Sequence, residues 1–146
     1  MCETNGYQFE IERIQALAEA LRAKEEFLQV ALDAAEVGTW IYFFADHLWH
    51  MDERAQALYR MPARTMPHTD TTLKGIIHPD DMTPMWKHVA EAANPRGSGR
   101  YQMQYRVLQP DGSVRWLAAW GRVDFEGDGT LRRPVRMVGE IGRAHV

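Results

Sequence analysis

Cysteine is almost missing from this 146-residue chain: Cys2 stands alone, near the N-terminus. One cysteine cannot form an internal disulfide or a Cys-based zinc cluster, and such usage fits a reducing compartment. Apolar runs are short as well. None approaches the ~20 residues of a membrane span, and no secretory signal is visible, so the expectation is a cytoplasmic protein without a membrane span. Charge of one sign is not in excess either. A net charge of −3 offers no electrostatic footprint for nucleic acid. Residues 8–35 contain neither glycine nor proline, which excludes a turn there and leaves one long helix.

The chain is not short of hydrophobic and aromatic side chains. Hydrophobic residues make up 45% and charged residues 25%, ordinary for a single globular domain. Five Trp, five Tyr, five Phe and eight Met are concentrated after residue 36. Such residues build cores and also line adaptable pockets.

Within 8–35, Ile14, Leu21 and Leu28 recur every seven residues, with Leu17, Lys24 and Ala31 offset by three. This is the a/d seam of a short coiled coil, weakened by Lys24. A helix of that span is about 42 Å long, more than a compact domain of this size needs. It reads either as a helix packed on its own sheet or as a dimer seam, and Phe9, Ile11, Phe27 and Val30 leave apolar surface for both.

Gly38 is expected to end the helix. Thr39 to Phe44 then reads as a buried strand and His47 to Met51 as a second, forming a hairpin. Asp52 is a plausible N-cap for a short helix through Tyr59, while 62–72 reads as mostly irregular. His78-Pro79-Asp80-Asp81 opens the next helix, because proline suits a first turn and carboxylates complement the dipole there. Met82, Met85, Trp86 and Val89 continue it at helical spacing. Tyr101, Met103, Tyr105 and Val107 alternate with polar residues, a period of two. Strands over 114–125 and 131–141 follow, separated by Gly-Asp turns. The expected fold class is α+β: a five-stranded antiparallel sheet with short helices on one face and a long N-terminal helix.

Four segments, in order, are similar to the PAS family, in its sensory subgroup with a Trp-rich first strand and a His-Pro-Asp-Asp helix start. They are Leu32 to Trp40, His78 to Asp81, Tyr105 to Val107 with Asp111 to Trp116, and Val138 to Gly142. The resemblance covers 30–142 and implies a sheet that cups a cavity, with signal passing through flanking helices. It implies a module of bacterial-type signal transduction, such as a two-component sensor histidine kinase or a cyclic-di-GMP enzyme. The domains expected are 1–35 as an amphipathic signalling helix, 36–142 as the PAS domain, and 143–146 as a stub toward an output domain. Where the family closes on Asp-Ile-Thr, this chain has Glu140-Ile141-Gly142.

Inward facing, by that resemblance, are Met103, Tyr105 and Val107 with Leu117, Ala119 and Ile141. Leu58, Ile76, Ile77 and Met85 are the expected partners on the lid side. These ten residues are the candidate pocket for a small apolar ligand; the alternative is a packed core with no ligand. Trp116 and Trp120 project from the opposite face and, with Ile14, Leu17, Leu21 and Leu28, form the candidate surface for a homodimer. No catalytic residues are assigned, for want of a nucleophile–base–orienter set, and no metal site is expected. No cofactor is expected either. Cys2 cannot reach the helix over a flavin, and haem has only the weak candidate ligand His88, three residues after Met85. Function therefore lies between a ligand-sensing dimerisation module, a ligand-free interaction scaffold and a haem-binding gas or redox sensor, none of them an enzyme.

Overall fold

The computed structural model describes residues 2–61 and 67–144. Residues 62–66 of the stretch read as irregular, and 145–146 of the C-terminal stub, lie outside the described residues. Two compact units divide the chain, Met1–Ala35 and Glu36–Val146.

The first unit is one helix, α1 (Cys2–Ala35), which starts earlier than the sequence pattern and runs through Gly6. Its seam residues Ile14, Leu17, Leu21 and Leu28 are each 58–63% exposed, and Phe9, Phe27 and Val30 are exposed too. Gly38 does not stop the helix. Glu36 does, by adopting a left-handed backbone (φ 55°) just past Ala35, the position that satisfies terminal carbonyls and usually takes glycine. Gly38 has a different reason to be small: a Cβ there would lie 2.4 Å from the backbone nitrogen of Ala55.

The second unit holds a six-stranded antiparallel sheet, not five. Its strands are β1 (Gly38–Phe43), β2 (Leu48–Met51), β3 (His68–Thr69), β4 (Arg100–Leu108), β5 (Val114–Glu126) and β6 (Arg133–Arg143), in the order β3-β2-β1-β6-β5-β4. The additional strand, β3, pairs Leu48 with Thr69 and Trp49 with His68. A buried hydrogen bond between the His68 Nε2 and Gln56 Oε1 (2.9 Å) ties it to α2 (Glu53–Leu58). Two residues are too few for a period to show, which is why the segment read as irregular. β6 begins at Arg133, after a short 3₁₀ turn over Gly129–Leu131.

α2, α3 (Asp70–Lys74) and α4 (Pro79–Ala92) cover one face of this sheet. A single core joins Ala55 and Leu58 of α2, Leu73 of α3, and Met85, Val89 and Ala92 of α4 to the inward residues of all strands but β3. Asp52 caps α2 as expected, its Oδ1 accepting from the Ala55 N–H (2.8 Å). Its Oδ2 accepts from Thr39 Oγ1 (3.0 Å), so the same carboxylate fastens the helix start to β1.

His78 to Asp81 is a structural joint. His78 is the N-cap, its Nδ1 accepting from the Asp80 N–H (3.1 Å), and Pro79 takes the first helical position. Asp81 reaches β4, where Arg106 donates to it from its backbone N–H (2.8 Å), from Nε (3.0 Å) and from Nη2 (2.8 Å). Two more backbone bonds, from His78 N–H to the Arg106 carbonyl and from Leu108 N–H to the Ile76 carbonyl, complete the seam. The Arg106 side-chain hydrogen bond holds the Asp81 carboxyl below its ordinary value of 3.8, against the opposing effect of burial. A depressed carboxylate stabilises the fold above its unfolded pKa, and that contribution is lost as pH falls through the folded value. Asp81→Asn is therefore expected to lower the melting temperature at pH 7. The gap to wild type should close in strong acid, where both side chains are neutral. A gap independent of pH would refute this account.

Candidate functional site

Trp40 dominates the inner face. Its neighbours across the sheet are Gly139 on β6 and, one strand further, Gly121 on β5. The indole lies over both: a Cβ on Gly139 would meet its Cζ2 at 2.4 Å, and one on Gly121 its Cη2 at 2.9 Å. Beyond them the ring meets Tyr101 of β4 edge-on, with centroids 5.9 Å apart. Trp40 Nε1 donates to the Glu140 carbonyl (3.0 Å), which fixes the ring in this plane.

From Trp40 an aromatic cluster continues toward β2 and α4. Trp49 stands 5.7 Å from Trp40 and 4.4 Å from Tyr42, and Trp86 lies 6.1 Å from Tyr42. Polar edges are satisfied locally, Trp49 Nε1 by Asp70 (2.9 Å) and the Tyr42 hydroxyl by His47 Nδ1 (2.7 Å). Burial, with a smaller contribution from the Asp70 charge, pushes Tyr42 up to about 12, so it is a neutral hydroxyl at any physiological pH. Trp40, Tyr42 and Trp49 are buried in the core, and Trp86 packs against it.

The ten candidate pocket residues belong to the same core as these aromatic side chains. Leu58, Ile77, Met85, Tyr105, Val107, Leu117, Ala119 and Ile141 are buried in the core, and Ile76 and Met103 pack against it partly exposed. Among them is a polar feature that periodicity did not reveal. Tyr59, the C-cap of α2, stacks on Tyr105 at 6.3 Å between ring centroids, and the two buried hydroxyls hydrogen-bond to each other. Burial drives both phenols well above their ordinary value, so both carry their protons. Two protons serve one bond, leaving one hydroxyl hydrogen without an acceptor among the described residues. Tyr59→Phe or Tyr105→Phe is expected to cost about 1–3 kcal/mol by stranding the other hydroxyl, and the double substitution less than the sum. Additive losses in chemical denaturation would show that the pair does not act as a unit.

His88 lies on the outer side of α4, half exposed and 3.9 Å from Glu91, while Met85 is buried. The two do not share a face, contrary to the spacing argument for a haem ligand pair. Among the described residues no three His, Cys, Asp or Glu side chains converge as metal ligands. No helix among them is long and apolar enough to cross a membrane.

Trp116 and Trp120 occupy the outer face of β5, 42% and 39% exposed. Each is held by a neighbour: the Arg106 guanidinium sits 5.3 Å from the Trp116 ring, and Trp120 Nε1 donates to Glu140 Oε2 (2.9 Å). Glu140 thus serves both faces, its carbonyl binding Trp40 and its carboxylate Trp120.

Solved structures share this architecture at low identity. A sensory box histidine kinase/response regulator from Burkholderia thailandensis superposes with a TM-score of 0.63 at 22% identity, over 80% of this chain and 82% of that one. The N-terminal domain of a diguanylate cyclase with PAS/PAC sensor from Marinobacter aquaeolei gives 0.60 at 15%, over 73% and 94%. A PAS domain from Colwellia psychrerythraea gives 0.56 at 15%, over 82% and 95%. No curated protein matches the chain. Residues 48–139, from β2 to the strand that carries Gly139, match the family described as PAS fold. With that match over more than half its length, on a curled antiparallel sheet capped by short helices, this chain belongs to the PAS fold family.

Proposed function

We propose that the chain is a sensory and dimerisation module of a bacterial-type signal-transduction protein, acting in the cytoplasm. Residues 1–35 serve as the signalling helix, 36–142 as the sensing domain, and 143–146 as the lead toward an output domain. The observation that carries this reading is the exposed heptad seam of Ile14, Leu17, Leu21 and Leu28 on a helix continuous in sequence with a PAS domain. Apolar rows of this kind are stable in water only against a partner. A parallel homodimer joins two such rows by symmetry and brings equivalent chain ends together. The exposed Trp116 and Trp120 supply further apolar surface for the same association.

The sensory box histidine kinase/response regulator and the diguanylate cyclase among the similar structures support an output domain of one of those kinds. The Tyr59–Tyr105 pair supports sensing, because a neutral donor among apolar side chains suits a small, mostly apolar ligand with one acceptor. A ligand-free scaffold is the second reading, favoured by the close packing of Trp40, Trp49, Tyr42 and Trp86 in the core. Light scattering with native mass spectrometry tests both. The expected result is a dimer that carries a small molecule; a dimer without one, even after incubation with cell extract, supports the scaffold. A monomer overturns dimerisation through α1.

A further inference from the structure

Arginines from three elements converge on one open groove of about 700 Å³. Arg54 and Arg60 come from α2 and the residues just past it, Arg115 from β5, and Arg143 from the end of β6. Glu36 is the one carboxylate among the described lining residues. The groove borders the candidate pocket at Leu58, but its charged lining comes from Arg115 and Arg143 at the ends of β5 and β6 rather than from the inward residues Ala119 and Ile141.

Like charges meet at Arg60, Arg115 and Arg143. Arg115 is half-buried, and its hydrogen bond is a long one, from Nη1 to the Leu58 carbonyl (3.5 Å). Burial, and then the like charges of Arg143 and Arg60, pull its guanidinium below its usual value. Arg60 is also within electrostatic reach of Asp111, but that carboxylate already accepts from the backbone N–H and hydroxyl of Ser113 (2.9 and 2.6 Å). Like charges held together in a partly desolvated site repel one another, and a multivalent anion removes that repulsion. Planar guanidinium forks match phosphate oxygens two at a time, and three forks exceed what one carboxylate can use. Beneath them, Leu58 and Met61 add apolar surface suited to an organic body.

We propose that this groove binds a small phosphate-bearing anion, held by Arg60, Arg115 and Arg143, with its organic portion over Leu58 and Met61. Binding here requires neither dimerisation through α1 nor a ligand inside the cup. It gives the domain a second input, beside the residue that ends α1 (Glu36) and the residue that ends β6 (Arg143).

Inorganic pyrophosphate is the probe, titrated into the intact chain by calorimetry at low salt, with citrate as the carboxylate comparison. Saturable binding is expected, tighter than citrate and weakened by added salt. Arg115→Gln and Arg143→Gln should each reduce affinity about tenfold or more, while Arg122→Gln, on a strand face away from the groove, should leave it unchanged. Arg143 is exposed at a strand end, so its variant keeps the test decisive should Arg115→Gln impair folding. Absence of saturation, equal affinity for citrate, or unchanged binding in Arg143→Gln would each overturn the proposal.

Discussion

Gly139→Ala should be among the most destabilising single substitutions in the domain, lowering stability by about 3 kcal/mol or more. An added Cβ would stand 2.2 Å from the Trp120 carbonyl oxygen and 2.4 Å from Trp40 Cζ2. One obstacle is backbone in a paired strand. The other is an indole pinned by its hydrogen bond to the Glu140 carbonyl and wedged against Trp49 and Tyr101. Neither can retreat without breaking sheet pairing or moving the aromatic cluster, so the strain has no inexpensive outlet. Domain stabilities are about 5–15 kcal/mol in total, so such a loss is a large fraction of the whole. Gly142→Ala is the control, three residues along the same strand, where a Cβ would make only ordinary contacts, the nearest to Val37 Cγ2 at 3.6 Å. Thermal melts should show Gly142→Ala near wild type and Gly139→Ala far below it. Equal melting temperatures would mean that Trp40 does not lie across β6.

Changing Leu21 and Leu28 together to Asp is expected to convert the proposed dimer into a folded monomer. Both residues are exposed and stand one heptad apart in the proposed seam. Burying a leucine side chain is worth about 1.5–3 kcal/mol, and the double change removes two from each helix while placing four carboxylates in one interface. Association should weaken by several orders of magnitude. Lys24 already interrupts the seam, so little reserve remains to absorb the loss. The globular unit should be unaffected, because its core runs from Trp40 onward and includes no residue of α1. Light scattering should report halved mass, and the near-ultraviolet circular dichroism and melting transition should be retained. An unchanged dimer would place the interface elsewhere, with the Trp116 and Trp120 face the next to substitute.

Local features were legible in the residues themselves. The alternation of Tyr101, Met103, Tyr105 and Val107 marked β4, because side chains in a strand point to opposite faces. Asp52 and His78-Pro79-Asp80-Asp81 marked two helix starts, because capping is chemistry among neighbours in the chain. The family was legible for the same reason: its motifs are short, and their order survives without knowledge of which segments touch. Inward placement of Leu117, Ala119 and Ile141 followed from the family resemblance, and the structure buries all three.

Everything that depended on distant partners was hidden. Gly121 and Gly139 look like turn or bulge residues until Trp40, about a hundred positions away from Gly139 in sequence, is laid across them. β3 exists because β2 offers an edge and Gln56 holds His68, not because two residues have a strand-like pattern. Tyr59 becomes a candidate binding residue only when Tyr105 is stacked on it, and Arg60, Arg115 and Arg143 form a site only where α2, β5 and β6 meet. Composition, periodicity and capping by themselves determined most of the elements, while short motifs pointed to the family and, through that resemblance, to the inward faces. Tertiary structure alone decided strand number, the reason for each sheet glycine and the convergence of like charges, because these are set by which surfaces share space, and sequence separation does not encode that distance.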